Sequence, residues 1–206
     1  MTSCVEGTKE VTTSVLASTL TTVAVFLPLG LANGMAGNDE IVVGTEAYET
    51  FAAALHEVNV YLAKKIAGDG EGATALFEVN IVGAATKEQA VLLSKAIACS
   101  NLTKTAIAGH DANWGRIICA MGYSGADFDP EKVDLFFESA VGKIQIAENG
   151  VALDFSEEKA TEILSQPVVI ATADVKMGDA KATAWGCDLT HAYRNQRRLQ
   201  KLERNR

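Results

Sequence analysis

The chain has 206 residues, of which 48% are hydrophobic and 6% aromatic, with 17 glycines and a net charge of −8. That length allows one domain with a sizeable core, and the composition excludes a disordered or fibrous chain. The acidic balance excludes nucleic acid as the partner of the whole chain, although residues 194–206 gather five Arg and one Lys against one Glu and read as a solvated, basic helix.

Residues 11–38 carry no charged side chain, and a helix of that length could cross a bilayer. Seven Ser and Thr residues between Thr12 and Thr22 dilute the run, however, and its strongly apolar part is confined to Val23–Ala32, so a membrane span is not expected. Glu6 and Glu10 around Lys9, with no small-residue cleavage site after the run, argue against a signal peptide.

From residue 39 the pattern becomes regular. Phe51, Leu55, Val58, Leu62 and Ile66 recur at helical steps, predicting an amphipathic helix over 45–67 that Gly68 stops. Residues 76–82 alternate as a strand with Phe77, Val79 and Ile81 on one face, and Thr86 with Gln89 forms a capping box for a helix to about Cys99. A short strand is predicted at 103–108 and a helix from Trp114 to Met121, with Asn113 as its N-cap. Strands follow near 133–138 and 143–147, and Asn149-Gly150 signals a turn. Ser156 opens a helix that Pro167 ends, and residues 167–176 with 180–187 read as a hairpin turning at Gly178-Asp179. This order predicts an α/β fold, a layered sandwich and not a strict βαβ series.

Cys4, Cys99, Cys119 and Cys187 are far apart, as are His56, His110 and His191, so neither a zinc site nor a disulfide framework is signalled. No metal is expected, and free thiols suit a reducing, cytoplasmic compartment.

Two stretches could carry chemistry. In Asp69-Gly-Glu-Gly-Ala-Thr74, glycines beside two carboxylates allow positive φ and close approach, so the acids could meet one ligand; an acidic helix-to-strand turn is the plain alternative. Gly68, Gly70 and Ala73 match the spacing of a dinucleotide fingerprint, but that motif needs a strand before it and a helix after it, the reverse of the order here. Two carboxylates are too few for a tight cation site. Gly109-His-Asp-Ala-Asn-Trp-Gly-Arg116 places donors at a helix N-terminus, where they could bind a carboxylate; structurally, Arg116 could instead pair with Asp111 while Asn113 caps the helix.

In order, Asp69–Thr74, Val82-Gly-Ala84, Ser94–Ala98, Lys104–Ile107, Asn113–Ile117, Gly122–Gly125, Phe128-Asp-Pro130 and Ala184-Trp-Gly-Cys-Asp-Leu-Thr-His191 resemble the β chain of the bifunctional ornithine acetyltransferase, or glutamate N-acetyltransferase, of arginine biosynthesis. The resemblance runs from about Leu31 to Tyr193, dividing the chain into a 1–30 segment, a 31–193 domain and a 194–206 tail. It implies the C-terminal portion of an N-terminal-nucleophile-like α/β sandwich. The implied chemistry is acetyl transfer from N-acetylornithine to glutamate through an acyl-threonine, without a cofactor, in an αβ hetero-oligomer whose α-like partner chain supplies an oxyanion hole. By the same resemblance Glu71 contacts the substrate amine, while Asp69, Gly70, Gly72, Asn113 and Arg116 support the site.

Residues 6–29 instead resemble a membrane helix of resistance-nodulation-division transporters. The family's nucleophile-bearing start and its D-G-D-T-S-T-N-D segment are not found there, its C-terminal N-A-D-Y-R-[ST] gives way to Arg194-Asn-Gln-Arg-Arg-Leu199, and Ala75 and Ala112 replace its usual lysine and proline. No catalytic residue is assigned, Thr2 being a substitute only if it became N-terminal. The chain alone is therefore expected to be inactive. The alternative is a non-catalytic or vestigial interaction domain with a membrane-associating N-terminal segment.

Overall fold

A computed structural model describes residues 41–193. Thr2, the 6–29 run and the 194–206 tail, with the expectations attached to them, lie outside the described residues. The chain divides into two compact units, residues 1–66 and 67–206. Helix α1 (Glu46–Gly68), which starts in the first, begins where Thr45 Oγ1 accepts a hydrogen bond from Tyr48 N, and the expected stripe from Phe51 to Ile66 is exposed or half-buried.

The second unit is built on one mixed sheet. Strand β1 (Leu76–Ala84) is followed by helices α2 (Lys87–Cys99), α3 (Asn101–Ala108) and α4 (Trp114–Gly122). A 3₁₀ turn (Pro130–Lys132) then leads to β2 (Asp134–Ser139), β3 (Gly142–Glu148), β4 (Val151–Ala152), helix α5 (Glu157–Leu164), β5 (Val168–Asp174) and β6 (Ala180–Cys187). The strand order is β4-β3-β2-β5-β1-β6. The layered α/β architecture predicted from the sequence is what these elements form.

The predicted alternation of β1 places Phe77, Val79 and Ile81 against the core, in register with Val169, Ala171 and Ala173 of β5. Onto this same face pack Leu93 and Ile97 of α2, Ile107 of α3, Ile117 and Met121 of α4, and Ile163 and Leu164 of α5, so one continuous core joins all four helices to the sheet. On the opposite face Trp185 Nε1 donates to Glu78 Oε2 at 2.8 Å and Thr183 Oγ1 to Asn80 Oδ1 at 2.6 Å, linking β6 to β1 across polar side chains.

Two sequence expectations are corrected. Residues 103–108 are helical, not a strand. Ser100 caps α3 by accepting from Thr103 N, and Thr103, Ala106 and Ile107 fall on one buried helical face, so a period of three to four prevails over the strand preference of the β-branched residues. The expected 167–176/180–187 hairpin is also absent, because β1 lies between β5 and β6, parallel to the first and antiparallel to the second. The connection crosses the end of β1, where Val175 N donates to Val82 O, and Met177 N and Gly178 N both donate to Gly83 O. Five residues are enough to span two strand spacings of about 10 Å.

Candidate functional site

The site lies in the second unit, in the loop between Gly68 and Leu76, where β1 begins. Between them the Asp69–Thr74 loop closes a tight turn, with Ala73 N donating to Gly70 O at 2.9 Å. The helix-before, strand-after order holds, so the loop offers no helix N-terminus to a pyrophosphate.

Behind the loop runs the segment that leaves β6. A Cβ on Gly70 would collide with Cys187 Sγ, and one on Gly72 would lie 2.9 Å from Tyr193 N and 3.1 Å from Ala192 Cβ. Gly72 also has φ +70°, a conformation that side chains with a Cβ rarely adopt. Both glycines are thus required by close approach of the 187–193 segment, and Gly72 by its backbone geometry as well. Thr190 Oγ1 donates to Gly72 O at 2.6 Å, tightening the same contact. Glu71, between the two glycines, is exposed, and so is Asp69.

Asp188 forms the main polar anchor. Only 3% exposed, it accepts from Thr74 N at 2.8 Å, Thr74 Oγ1 at 2.5 Å and Ala75 N at 3.2 Å. Its own N–H returns a bond to Ala75 O at 3.1 Å, extending the β1/β6 ladder by one step. A carboxylate taken out of water needs such donors, and these three supply them. Three of the hydrogen bonds that hold the end of the loop therefore run to Asp188. The side chain of Asp69, expected in that supporting role, makes no hydrogen bond or ion pair among the described residues. The motif Cys187-Asp-Leu-Thr190 was visible in the sequence, but nothing local marks Asp188 as the partner of a loop 114 positions earlier.

Asn113 and Arg116 act within the helical layer. Asn113 Oδ1 caps α4 by accepting from Arg116 N at 3.1 Å, while its Nδ2 donates to Asp111 Oδ2 at 3.1 Å. Arg116 Nη1 donates to Leu102 O at 2.9 Å and Thr105 Oγ1 at 3.1 Å, and its Nη2 stands 4.0 Å from Asp111. The guanidinium thus fastens α4 to α3 as well as facing the expected acid. Leu189 N donates to Lys104 O at 3.1 Å, tying α3 to the strap behind the loop. The two stretches are therefore connected through α3 and residues 188–189. Ala112 and Ala75 are both buried.

The model of the ArgJ family matches residues 9–196. The arginine biosynthesis bifunctional protein ArgJ of Thermotoga neapolitana is 54% identical over 163 residues, covering 79% of this chain and 41% of that protein. Its namesake from Caldanaerobacter subterraneus is 52% identical, covering 79% and 40%. The chain thus spans about two fifths of the length of these curated relatives. A crystal structure of the protein of the same name from Bacillus halodurans superposes with a TM-score of 0.72 at 42% identity, covering 78% of this chain and 74% of that one. The matched range takes in most of the 6–29 run, whose transporter likeness finds no support among these relatives. Among the described residues no helix is long and apolar enough to cross a membrane.

Proposed function

Since the chain belongs to the ArgJ family, we propose that it takes part in acetyl transfer from N-acetylornithine to glutamate in arginine biosynthesis, with Glu71 meeting the cationic amine of the ornithine-type substrate. In that reaction a threonine oxygen attacks the acetyl carbonyl, ornithine leaves through its α-amine, and glutamate's amine then takes the acetyl group from the ester. The remaining amine of ornithine stays cationic throughout and suits a carboxylate. The reading extends to an α-like partner chain that completes the site with an oxyanion hole, and to a cytoplasmic location.

The observation that carries it is the construction of the loop. Two glycines let the 187–193 segment lie directly behind it, and Glu71 is an exposed residue on a backbone that Thr190 and the Ala73–Gly70 bond hold.

Calorimetric titration of the purified chain tests the reading. N-acetylornithine is expected to bind at least about tenfold more tightly than N-acetylnorvaline, which lacks the side-chain amine, since a bond to a charged group contributes about 1.5–3 kcal/mol. Glu71→Gln is expected to erase that preference. Equal binding of both compounds by the unaltered chain would reject Glu71 as the amine contact.

A further inference from the structure

We propose that Asp188 is a positioning residue for substrate recognition: it holds the backbone from Thr74 to Ala75 so that Glu71 is presented in one orientation. The inference rests on the reading of Glu71 as the amine contact and deepens it. Four observations lead to it. Asp188 is buried, and all its described side-chain bonds go to the two residues that close the loop. Its backbone is fixed in turn by the bond to Ala75 O, so the anchor does not drift with the strand end. The bonds of Thr190 to Gly72 and of Leu189 to α3 hold the following residues, so the strap is braced directly after Asp188. Glu71 itself lies three residues before Thr74, within the turn that the Ala73–Gly70 bond closes, so a shift at Thr74 moves its Cα directly.

The Asp188 side chain accepts where strand pairing does not. Two of its donors are backbone amides that in a regular strand would reach across to a neighbouring chain segment. Past Cys187, the last residue of β6 paired with β1, the Asp188 carboxylate is the acceptor for both. The backbone at Thr74 and Ala75 is thereby held, and the loop starts from a fixed point.

A double-mutant cycle on the full chain, read by titration with N-acetylornithine, tests the role. Asp188→Ala is expected to weaken binding about tenfold in the unaltered chain and to change it less than about twofold in the Glu71→Gln background, because the residue acts only through Glu71. Asp188→Asn keeps a carbonyl acceptor for the two amides and can donate to Thr74 Oγ1, so it is expected to retain affinity within about threefold and to remain folded. Thr74→Val, which deletes one of the three donors, provides an intermediate case. A loss in Asp188→Ala that persists undiminished in the Glu71→Gln background would mean a general structural effect and overturn the proposal. Amide exchange supplies the arm that does not depend on ligand. Asp188→Ala or Thr74→Val should speed exchange at Thr74 and Ala75 while Phe77 to Ile81 stay protected, and unchanged exchange at those two amides overturns the anchor. If the unaltered chain shows no preference for N-acetylornithine, the reading of Glu71 fails, and the exchange measurement still decides whether Asp188 holds the loop.

Discussion

Gly72 shows how much of the site depends on single atoms. At φ +70° a residue with a Cβ is disfavoured by about 1–2 kcal/mol, and the added carbon would press on Tyr193 N and Ala192. Gly72→Ala is therefore expected to destabilise the chain by about 2–3 kcal/mol in urea unfolding, and a loss below about 0.5 kcal/mol would show that the 187–193 segment moves aside at little cost. The need for glycine was legible in the sequence, because two glycines flanking an acid have few other uses. Asp188 was not, because a buried acid announces itself only through its partners, and these come from the far end of the chain. Arg116 lies between these cases: its neighbour Asp111 was anticipated, but the stronger contacts are to Leu102 O and Thr105 on the preceding helix, which sequence spacing could not reveal while that segment read as a strand.

At the scale of elements, short helices depend on their caps more than on their composition. Ser100 ends α2 and starts α3, and it is nearly buried at that corner. Ser100→Ala removes the acceptor for Thr103 N and is expected to cost about 1 kcal/mol, measurable as a shift in denaturation midpoint without a change in slope. Threonine, alanine and isoleucine in 103–108 carry mixed propensities, so only the cap and the core contacts of Ala106 and Ile107 decide the outcome. The β5–β6 connection was misread for a related reason, since turn residues mark where the chain bends and not which strand it bends around. Asp129, which caps the 3₁₀ turn, offers a titration check. The ammonium of Lys132 at 3.1 Å, and then the Glu131 N–H, hold its carboxyl below the usual 3.8. A depressed carboxyl stabilises the fold above its unfolded value and loses that contribution as pH falls through its folded value. Its NMR titration midpoint should accordingly lie below 3.8, and the turn should loosen only in acid beneath that point.

For the molecule as a whole, the position of β1 is decisive. It is the first strand among the described residues yet lies inside the sheet, paired along both edges, so segments nearly a hundred residues apart must assemble around it. Its core face meets a single apolar cluster shared by α2, α4 and α5, which predicts that these helices lose protection together and not one by one. Phe77, fully buried on that face, is the residue to remove. Phe77→Ala should cost about 3–5 kcal/mol, and amide exchange should rise in parallel at Leu93, Ile117 and Ile163, residues of three different helices. Independent exchange of α5 would mean that the core is divided. The same substitution reaches the candidate site, because Leu76 pairs with Cys187 immediately beside the Asp188 anchor. Loss of N-acetylornithine affinity should therefore follow the unfolded fraction in Phe77→Ala and be restored wherever the chain remains folded. Asp188→Ala is expected to lose affinity while folded, and that contrast separates the strand that holds the loop in the molecule from the residue that aims it.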